Sequence, residues 1–289
     1  MKKIIATAVA AAFVAPVYAA DITISGDQEF AWESNNGATT ASLDGDFNIK
    51  ASTETANGLS VSADININED AGNDGGASLT IGGPFGKLDL GDTSSAVDAV
   101  DDATDWGLSQ TQGSPNNDAS VLWTLPSIAP GLSLYVSTSA DGNDGAAQDG
   151  GDVNPGGADD TADDAHTGFA VKYKNSGLTI GYGQNDYDFG NDTQVVSLAY
   201  AAGGLSVAAE THTATTEAGV ETDTETLGVT YSMGDLMVGV ETLEDGTQDL
   251  TVLGAHYGLG GGVTAFIESL EDDNDDTAET VAVGVTMKF

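Results

Sequence analysis

The sequence contains no cysteine and no arginine, and it has only seven lysines among 289 residues. Without cysteine no disulfide can form, and thiol chemistry is excluded. Without arginine, and with so few lysines, the chain cannot neutralise a row of phosphates, so a nucleic-acid partner is excluded as well. Beyond the first twenty residues the sequence also lacks any apolar run near the ~20 residues that a transmembrane helix needs.

The first twenty residues have the composition of an export signal. Lys2 and Lys3 supply positive charge, residues 4–14 are apolar, and Val17-Tyr18-Ala19 is a small-x-small cleavage sequence. The apolar run is short for the alternative, an N-terminal membrane anchor. We therefore predict that residues 1–20 are a signal peptide removed on export, which leaves residues 21–289 as the mature chain.

Negative charge is in large excess. The 46 Asp and Glu residues give a net charge of −39, and loss of Lys2 and Lys3 with the signal peptide makes it −41. Such an excess attracts cations and repels anions. Adaptation to a saline medium, where carboxylates hold water and are screened, accounts for it equally well. Both explanations stay open at the level of sequence.

Short runs in which apolar residues alternate with polar or small ones predict β-strands. In the last run Val283, Val285 and Met287 share one face, while Gly284 and Thr286 share the other. Sixteen such segments are predicted, at residues 21–34, 42–54, 59–68, 77–82, 86–91, 119–125, 131–139, 167–174, 177–186, 193–201, 204–214, 223–232, 235–244, 247–258, 262–270 and 278–289.

The connections between these strands alternate strictly between two kinds. One kind is tight and nearly neutral, as at residues 56–58 and 233–234, and the other is longer and acidic, as at 92–118, 140–165 and 271–276. Outer-membrane barrels have this asymmetry between their two rims. The sequence therefore predicts an all-β fold, a 16-stranded antiparallel transmembrane β-barrel whose apolar face meets lipid. Sixteen strands are enough to enclose an aqueous channel.

Aromatic residues support the membrane interpretation. Six even-numbered strands, all running toward the short-turn rim, carry an aromatic near that end on the apolar face. Aromatic rings at one height are typical of the lipid headgroup level. The predicted girdle consists of Trp123, Tyr173, Tyr200, Tyr231, Tyr257 and Phe289.

Four segments resemble a known family. They are the mature start at residues 21–27, the run 85–92, residues 96–102 in the loop that follows, and the terminus 283–289. The mature chain resembles the trimeric general-diffusion porins of Gram-negative bacteria, most closely the alphaproteobacterial type. The resemblance implies an outer-membrane homotrimer whose long third loop folds into the lumen. It also implies that Phe289 is the signal read by the barrel-insertion machinery.

In that family, acidic residues of the third loop face a basic cluster on the opposite wall of the pore. Carried over, the acidic constriction consists of Asp92, Asp98, Asp101, Asp102 and Asp105. The basic side departs from the family pattern because arginine is absent, which puts a strong transverse field in doubt. The candidates for the basic side are Lys50, Lys87, Lys172 and Lys174, and Lys288 also lies on the face predicted to line the lumen.

The alternation of side chains along the strands also places many carboxylates on the face that lines the lumen. The pore-wall candidates are Asp44, Asp46, Asp64 and Asp89, joined by Asp27, Glu210, Glu241 and Glu268. Because these carboxylates outnumber the lysines, the pore is expected to prefer cations, as rings of Asp and Glu do in cation channels.

Two further site signals are weak. The acidic loops offer hard oxygen ligands that suit Ca²⁺ at Asp141, Asp144, Asp272 and Asp273, but no EF-hand spacing is present. A solvated loop is the favoured interpretation of each, and weak Ca²⁺ binding at the outer rim stays open; no other cofactor is expected. No catalytic motif accompanies His166, His212 or His256, so they are interpreted as wetted lumen residues.

The sequence thus predicts a porin: a water-filled, cation-preferring channel for passive diffusion of small hydrophilic solutes and ions. One alternative is a substrate-selective porin with a saturable site at the pore constriction. Another, from a different class, is a secreted acidic β-rich surface or adhesion protein. An enzyme is not expected.

Overall fold

The computed structural model describes residues 21–35, 37–68, 76–101, 118–139, 165–187, 192–216, 218–272 and 279–289. They form sixteen strands: β1 (Asp21–Asn35), β2 (Ala38–Glu54), β3 (Ser60–Asn68), β4 (Ala77–Gly83), β5 (Gly86–Ser94), β6 (Asp118–Thr124), β7 (Leu132–Ser139), β8 (His166–Asn175), β9 (Leu178–Tyr187), β10 (Asp192–Ala202), β11 (Leu205–Thr215), β12 (Glu221–Met233), β13 (Leu236–Glu244), β14 (Asp249–Gly260), β15 (Val263–Asp272) and β16 (Thr280–Lys288).

The strands close into one antiparallel barrel. Each pairs with its neighbours in the chain, and β1 pairs with β16 in a register that runs from Asp27–Lys288 to Asn35–Thr280. Closure satisfies the backbone of every strand and leaves no open edge, which is a requirement for a sheet in lipid. Within the described ranges no helix is long and apolar enough to cross a membrane.

The sixteen predicted strands are confirmed, with shifts at some ends. The largest shift is in β2, which begins at Ala38 rather than residue 42, because the small residues of 38–42 show no apolar alternation. Strand β5 continues to Ser94 rather than residue 91, through a bulge between Leu90 and Thr93. Gly91 has φ = +97° at this bulge, a conformation that glycine adopts without strain.

The apolar rows lie on the outside of the barrel. Ile65, Leu227 and Val283 are 49%, 49% and 47% exposed, whereas the inward-facing Ala282 is 1% exposed. A β-sandwich would turn these rows toward each other in its interior. Outward apolar rows are the arrangement that a barrel in lipid requires.

The six aromatics of the predicted girdle also lie exposed on the outer face, at or near the short-turn ends of their strands. The Trp123 indole N–H donates to the Phe85 carbonyl at 2.9 Å, and the Asn175 amide donates to the Tyr173 hydroxyl at 3.1 Å. Their placement at the headgroup level of a bilayer stays a prediction.

The inward face is less polar than the alternation alone suggested. Three clusters of buried apolar side chains interrupt it. They are Ala96, Val97, Val100, Leu122, Ala170 and Val195; Leu243, Leu250, Val252 and Leu270; and Ala31, Phe266 and Ala282. The first cluster marks the place where the third loop meets the wall.

Candidate functional site: the lumen and its third loop

The first residues of the third loop lie inside the barrel. Ser95, Ala96, Val97 and Val100 are all 0% exposed. The segment forms a tight turn, in which the Val100 backbone N–H donates to the Val97 carbonyl at 2.9 Å. Asp98 caps the turn by accepting the backbone N–H of Ser95 at 2.8 Å.

Polar side chains of three strands fasten this turn to the wall. The Ser137 hydroxyl on β7 accepts the Ala96 N–H at 2.9 Å, and the Asn185 amide on β9 donates to the Ser95 hydroxyl at 3.1 Å. On β10, the Ser197 hydroxyl donates to the Val100 carbonyl at 2.6 Å. The turn is therefore held at both ends.

Three inward-facing glycines make room for the turn, and we call them the loop seat: Gly168, Gly181 and Gly183. A Cβ added at Gly181 or Gly183 would stand 2.8 Å from a side-chain carbon of Val100, and one at Gly168 would stand 3.3 Å from the Ala96 Cβ. The missing side chains let a backbone segment approach the sheet closely. Sequence reasoning missed the loop seat, although three inward-parity glycines on adjacent strands were a usable signal.

The acidic residues assigned to the third loop have different surroundings. Asp98 turns toward the loop's own backbone. Asp101 is near enough to His212 on β11 to act on it electrostatically, and Asp92 lines a cavity at the root of the loop. Asp102 and Asp105 lie outside the described residues.

Two of the candidate basic residues are held by carboxylates of the same wall. The Lys50 Nζ lies 3.1 Å from Asp64 Oδ2, and the Lys87 Nζ lies 2.8 Å from Asp89 Oδ2. The second contact is a close ion pair without the angle of a hydrogen bond, and Asp89 Oδ1 accepts the Thr80 hydroxyl at 2.6 Å. Each pair is nearly neutral as seen from the lumen.

The other two candidates lie on β8, on the side of the barrel that holds the loop. Lys172 is 6% exposed there, and Lys174 is exposed near the short-turn rim. Because they share the loop's wall, they do not face it across the pore. The opposed acidic and basic walls that the resemblance implied also involve Asp102 and Asp105, outside the described residues, and stay a prediction.

The wall across the pore from the loop carries carboxylates. Strands β1 and β9 are eight strands apart in the ring of sixteen, so they face each other. On the β1–β2 pair, Asp27 is directly opposite Asp46, and Glu29 is directly opposite Asp44. Like charges directly opposite on neighbouring strands destabilise a sheet. We call these four residues the carboxylate wall.

The histidines are dispersed over three strands. His166 on β8 stacks on Tyr187 with ring centroids 4.8 Å apart, His212 on β11 is 6% exposed, and His256 Nε2 on β14 lies 2.8 Å from Glu268 Oε1. This scatter does not bring the three rings to a common site.

In the described ranges no group of three or more His, Asp or Glu residues is arranged to hold a metal ion. Of the four Ca²⁺ candidates only Asp272 is described, and its Oδ1 accepts the Asp249 N–H at 3.3 Å. Asp141, Asp144 and Asp273 lie outside the described residues.

Asp245, in the loop between β13 and β14, closes that loop. Its Oδ1 accepts the Thr247 hydroxyl at 2.7 Å and the backbone N–H groups of Gln248 and Thr247 at 2.7 and 2.8 Å. These hydrogen bonds, that of the Thr247 hydroxyl foremost, hold the pKa of the Asp245 carboxyl below its usual range.

Carboxylates on the outer face are unevenly distributed. By parity, outward positions at the long-loop ends of β9, β10 and β12–β16 carry nine of them, which we call the acidic belt: Asp186, Asp192, Glu221, Asp223, Glu225, Glu244, Asp249, Glu271 and Glu279. The outward positions described in β1–β8 carry none. Among the described strand positions, the outward face of β1–β8 is therefore uncharged.

Comparison with known proteins agrees with this architecture. A family model described as Gram-negative porin matches residues 6–277. A porin structure refined at 1.8 Å superimposes with a TM-score of 0.69 at 20% identity, over 93% of this chain and 100% of that one. An engineered variant of the Rh. blastica porin gives a TM-score of 0.67 at 19% identity with the same coverage. No curated protein sequence matches the chain.

Proposed function

The chain belongs to the family of Gram-negative porins, and on that premise we propose that its pore prefers cations and that it works as a homotrimer. Family and fold make it an outer-membrane β-barrel that forms a general diffusion channel. The preference for cations and the assembly are the parts that need argument.

The carboxylate wall is the observation that carries the cation preference. Asp27, Glu29, Asp44 and Asp46 face the lumen opposite the third loop, and among the described residues no ion pair reaches them. The nearest lysine in sequence, Lys50, is held by Asp64. Lys288 lies directly opposite Asp27 across the β1–β16 pair, whereas Glu29, Asp44 and Asp46 have no lysine opposite them. A lumen in which carboxylates outnumber lysines in this way concentrates cations and repels anions.

Liposome swelling tests whether diffusion is passive and general. Purified protein in liposomes is challenged with uncharged sugars of increasing size. A swelling rate that falls steadily with solute size and rises linearly with concentration supports the general pore. A rate that saturates for one sugar contradicts it and favours the substrate-selective alternative.

Charge on the outer face supports a homotrimer built through the β1–β8 half. Copies that met through the acidic belt would bring like charges together, whereas β1–β3 offers large exposed apolar side chains. Trp32 is 58% exposed beside Phe30, and Leu43 is 56% exposed. Aromatic anchors of this kind are typical of protein interfaces.

Two matched substitutions test the assembly. Trp32→Glu is expected to abolish the trimer in unheated gel electrophoresis and cross-linking, because it buries a charge between subunits. Val196→Glu, at an outward site 50% exposed on β10, places the same charge in the other half. Loss of the trimer with Val196→Glu alone would contradict the proposed interface.

The remaining proposals concern export. Residues 1–20 are proposed to be a signal peptide removed before assembly, and Phe289 is proposed to be read by the barrel-insertion machinery. Amino-terminal sequencing of protein from outer membranes tests the first, with residue 20 or 21 as the expected start. Passive diffusion needs no cofactor and no catalytic step.

A further inference from the structure

One amide on the outer face of the barrel stands apart from the others. Alternation places four amide side chains outward on the described strands. Gln28, on β1, is exposed and makes no hydrogen bond to any described residue. The other three each use a tyrosine hydroxyl at 3.0–3.1 Å: Asn175 that of Tyr173, and Gln184 and Gln194 that of Tyr182.

Apolar side chains surround Gln28. It lies directly opposite Gly45 on β2 and Met287 on β16. Its side chain packs over Gly45, where an added Cβ would stand 3.0 Å from the Gln28 Cγ and 3.5 Å from Nε2. The nearest outward positions on β1 and β2 also carry large apolar side chains that are exposed. We call this group the amide patch: Gln28, Phe30, Leu43, Phe47 and Met287.

The amide patch lies where lipid offers no hydrogen bond. Gln28 is the middle residue of β1 (Asp21–Asn35), so each end of the strand is ~23 Å away along the chain. Phe289, which the girdle prediction places at the headgroup level, pairs with Gly26, and Gln28 is two residues further from that rim. An unpaired amide in hydrocarbon is costly, because acyl chains neither donate nor accept hydrogen bonds. Gln28 therefore requires a partner from another molecule.

The proposed homotrimer supplies that partner. Rotation about a three-fold axis parallel to the barrel axis keeps each residue at its own height, so the partner lies at the height of Gln28. The other polar side chains that alternation places outward on the described strands β1–β8 lie at strand ends, as Ser34, Thr39 and Thr138 do. The polar group at the required height is Gln28 of a neighbouring subunit.

We propose that the three copies of Gln28 meet at the three-fold axis of the homotrimer, where their amides form a closed ring of hydrogen bonds. A residue meets its own copies only at the symmetry axis. Each amide has N–H donors and a carbonyl acceptor, so it donates to one neighbour and accepts from the other. The apolar side chains of the amide patch exclude water from the ring. This inference rests on the proposed homotrimer and assigns its axis.

A metal bridge tests whether the three side chains meet. In Gln28→His an imidazole replaces the amide and reaches about as far from the backbone. Three imidazoles around one axis can bind Zn²⁺ through Zn–N bonds of ~2.0–2.1 Å. Because separated subunits lack this site, Zn²⁺ should raise the temperature at which the Gln28→His trimer dissociates on gels. Chelation of the metal by EDTA should reverse the rise.

Val196→His is the matched control for the metal bridge. Val196 is an exposed outward residue of β10, in the half of the barrel that carries the acidic belt. It reports any effect of Zn²⁺ on surface carboxylates. A Gln28→His trimer that responds to Zn²⁺ no more than the Val196→His trimer would overturn the amide ring.

Mixed trimers test the hydrogen bonds themselves, and they decide the matter if Gln28→His does not assemble. A trimer made only of Gln28→Leu subunits has no amide at the axis, so it leaves none unpaired. A trimer of one unmodified and two Gln28→Leu subunits, isolated by an affinity tag, buries one amide without a partner. We expect this mixed trimer to dissociate at a lower temperature than either pure trimer. A dissociation temperature equal to one of the pure trimers, or between them, would overturn the ring.

Failure of the ring and failure of the homotrimer are distinguishable. Unmodified protein that runs as a folded monomer on unheated gels and is not cross-linked into trimers would refute both. A stable trimer that shows neither the zinc response nor the weakened mixed species would keep the proposed homotrimer and remove Gln28 from its axis.

Discussion

The ammonium of Lys50 lies 3.1 Å from the carboxylate of Asp64, directly across the β2–β3 pair. The sequence had placed these residues in separate groups, one basic and one acidic, on the pore wall. Their contact means that a positive charge expected to face the third loop is satisfied where it stands. The same is true of Lys87 with Asp89. The electrostatics of the lumen is therefore decided by the carboxylates that remain.

Removing charge from the carboxylate wall should weaken the preference for cations. In Glu29→Gln/Asp44→Asn, two carboxylates directly opposite on β1 and β2 become neutral without loss of volume. Each charge contributes about 0.5 kcal/mol at ~8 Å in water, so the cation-to-anion permeability ratio should fall several-fold. The reversal potential in a KCl gradient measures this ratio. Glu244→Gln, in the acidic belt outside the pore, should leave it unchanged.

Filling the loop seat should push the third loop away from the wall. In Gly183→Val the new side chain meets Val100 Cγ2 at 2.8 Å and the Val97 backbone at 3.1 Å, an overpacking that costs about 1–3 kcal/mol. The loop can move only toward the pore axis, so single-channel conductance should fall.

Gly258→Val is the control for the loop seat. Gly258 also faces inward, but an added Cβ there meets only Asp235, at 3.7–3.8 Å. The single-channel conductance of the Gly258→Val variant should equal that of the unmodified protein. A Gly183→Val channel with unchanged conductance would mean that the loop does not set the width of the pore.

Much of the barrel could be predicted because its signals are periodic and local. Alternation at Val283, Val285 and Met287 reveals a strand and its two faces without knowledge of any neighbour. Alternation does not explain why the apolar Leu122 and Phe266 face inward, because their burial depends on a loop or on facing strands. Parity tells which way a side chain points but not what it meets there.

The terminal aromatic should stabilise the closed barrel as well as mark it for insertion. The Phe289 backbone exchanges two hydrogen bonds of 3.0 Å with Gly26, and its ring stacks edge-on against Phe47 at 5.6 Å. Phe289→Ala should lower the stability by about 1 kcal/mol, the typical worth of an aromatic pair. The loss of stability is measured by gel electrophoresis of samples heated to increasing temperatures, as the temperature at which the folded band gives way to the unfolded band.

Phe47→Ala separates stability from recognition. It removes the same ring contact and leaves the terminus intact, so the folded Phe47→Ala barrel should lose as much stability. In cells, only the Phe289→Ala protein should also accumulate in the periplasm without being inserted into the outer membrane. Equal accumulation of both variants would show that ring packing, not recognition of the terminus, explains the defect.

The loop closed by Asp245 should open in acid. Because the folded pKa of Asp245 lies below the unfolded value of ~3.9, its stabilising effect is complete above that value. The effect is lost as pH falls through the folded pKa. Hydrogen exchange at the Thr247 and Gln248 amides should therefore be slow at neutral pH, after correction for intrinsic rates, and lose protection in this acid range. Asp245→Asn should lack this transition, and an unchanged profile in that variant would contradict the assignment.

The candidate site was less predictable than the fold, because the role of each residue depends on its contact with a residue far away in the sequence. Lys50 and Asp64 are fourteen residues apart, and only the β2–β3 register shows that they touch. In the sequence, nothing distinguishes Ser197 from the other inward hydroxyl groups. Its hydrogen bond of 2.6 Å to the Val100 carbonyl, 97 residues earlier, is visible only in the structure. No local sequence pattern encodes contacts between a loop and a distant wall.

The reversal potential of the unmodified channel in a KCl gradient tests the central claim most directly. A lumen governed by the carboxylate wall predicts a conducting pore whose reversal potential lies toward the potassium equilibrium potential. A reversal potential toward the chloride equilibrium potential, or one near zero at neutral pH and low salt, would contradict the account.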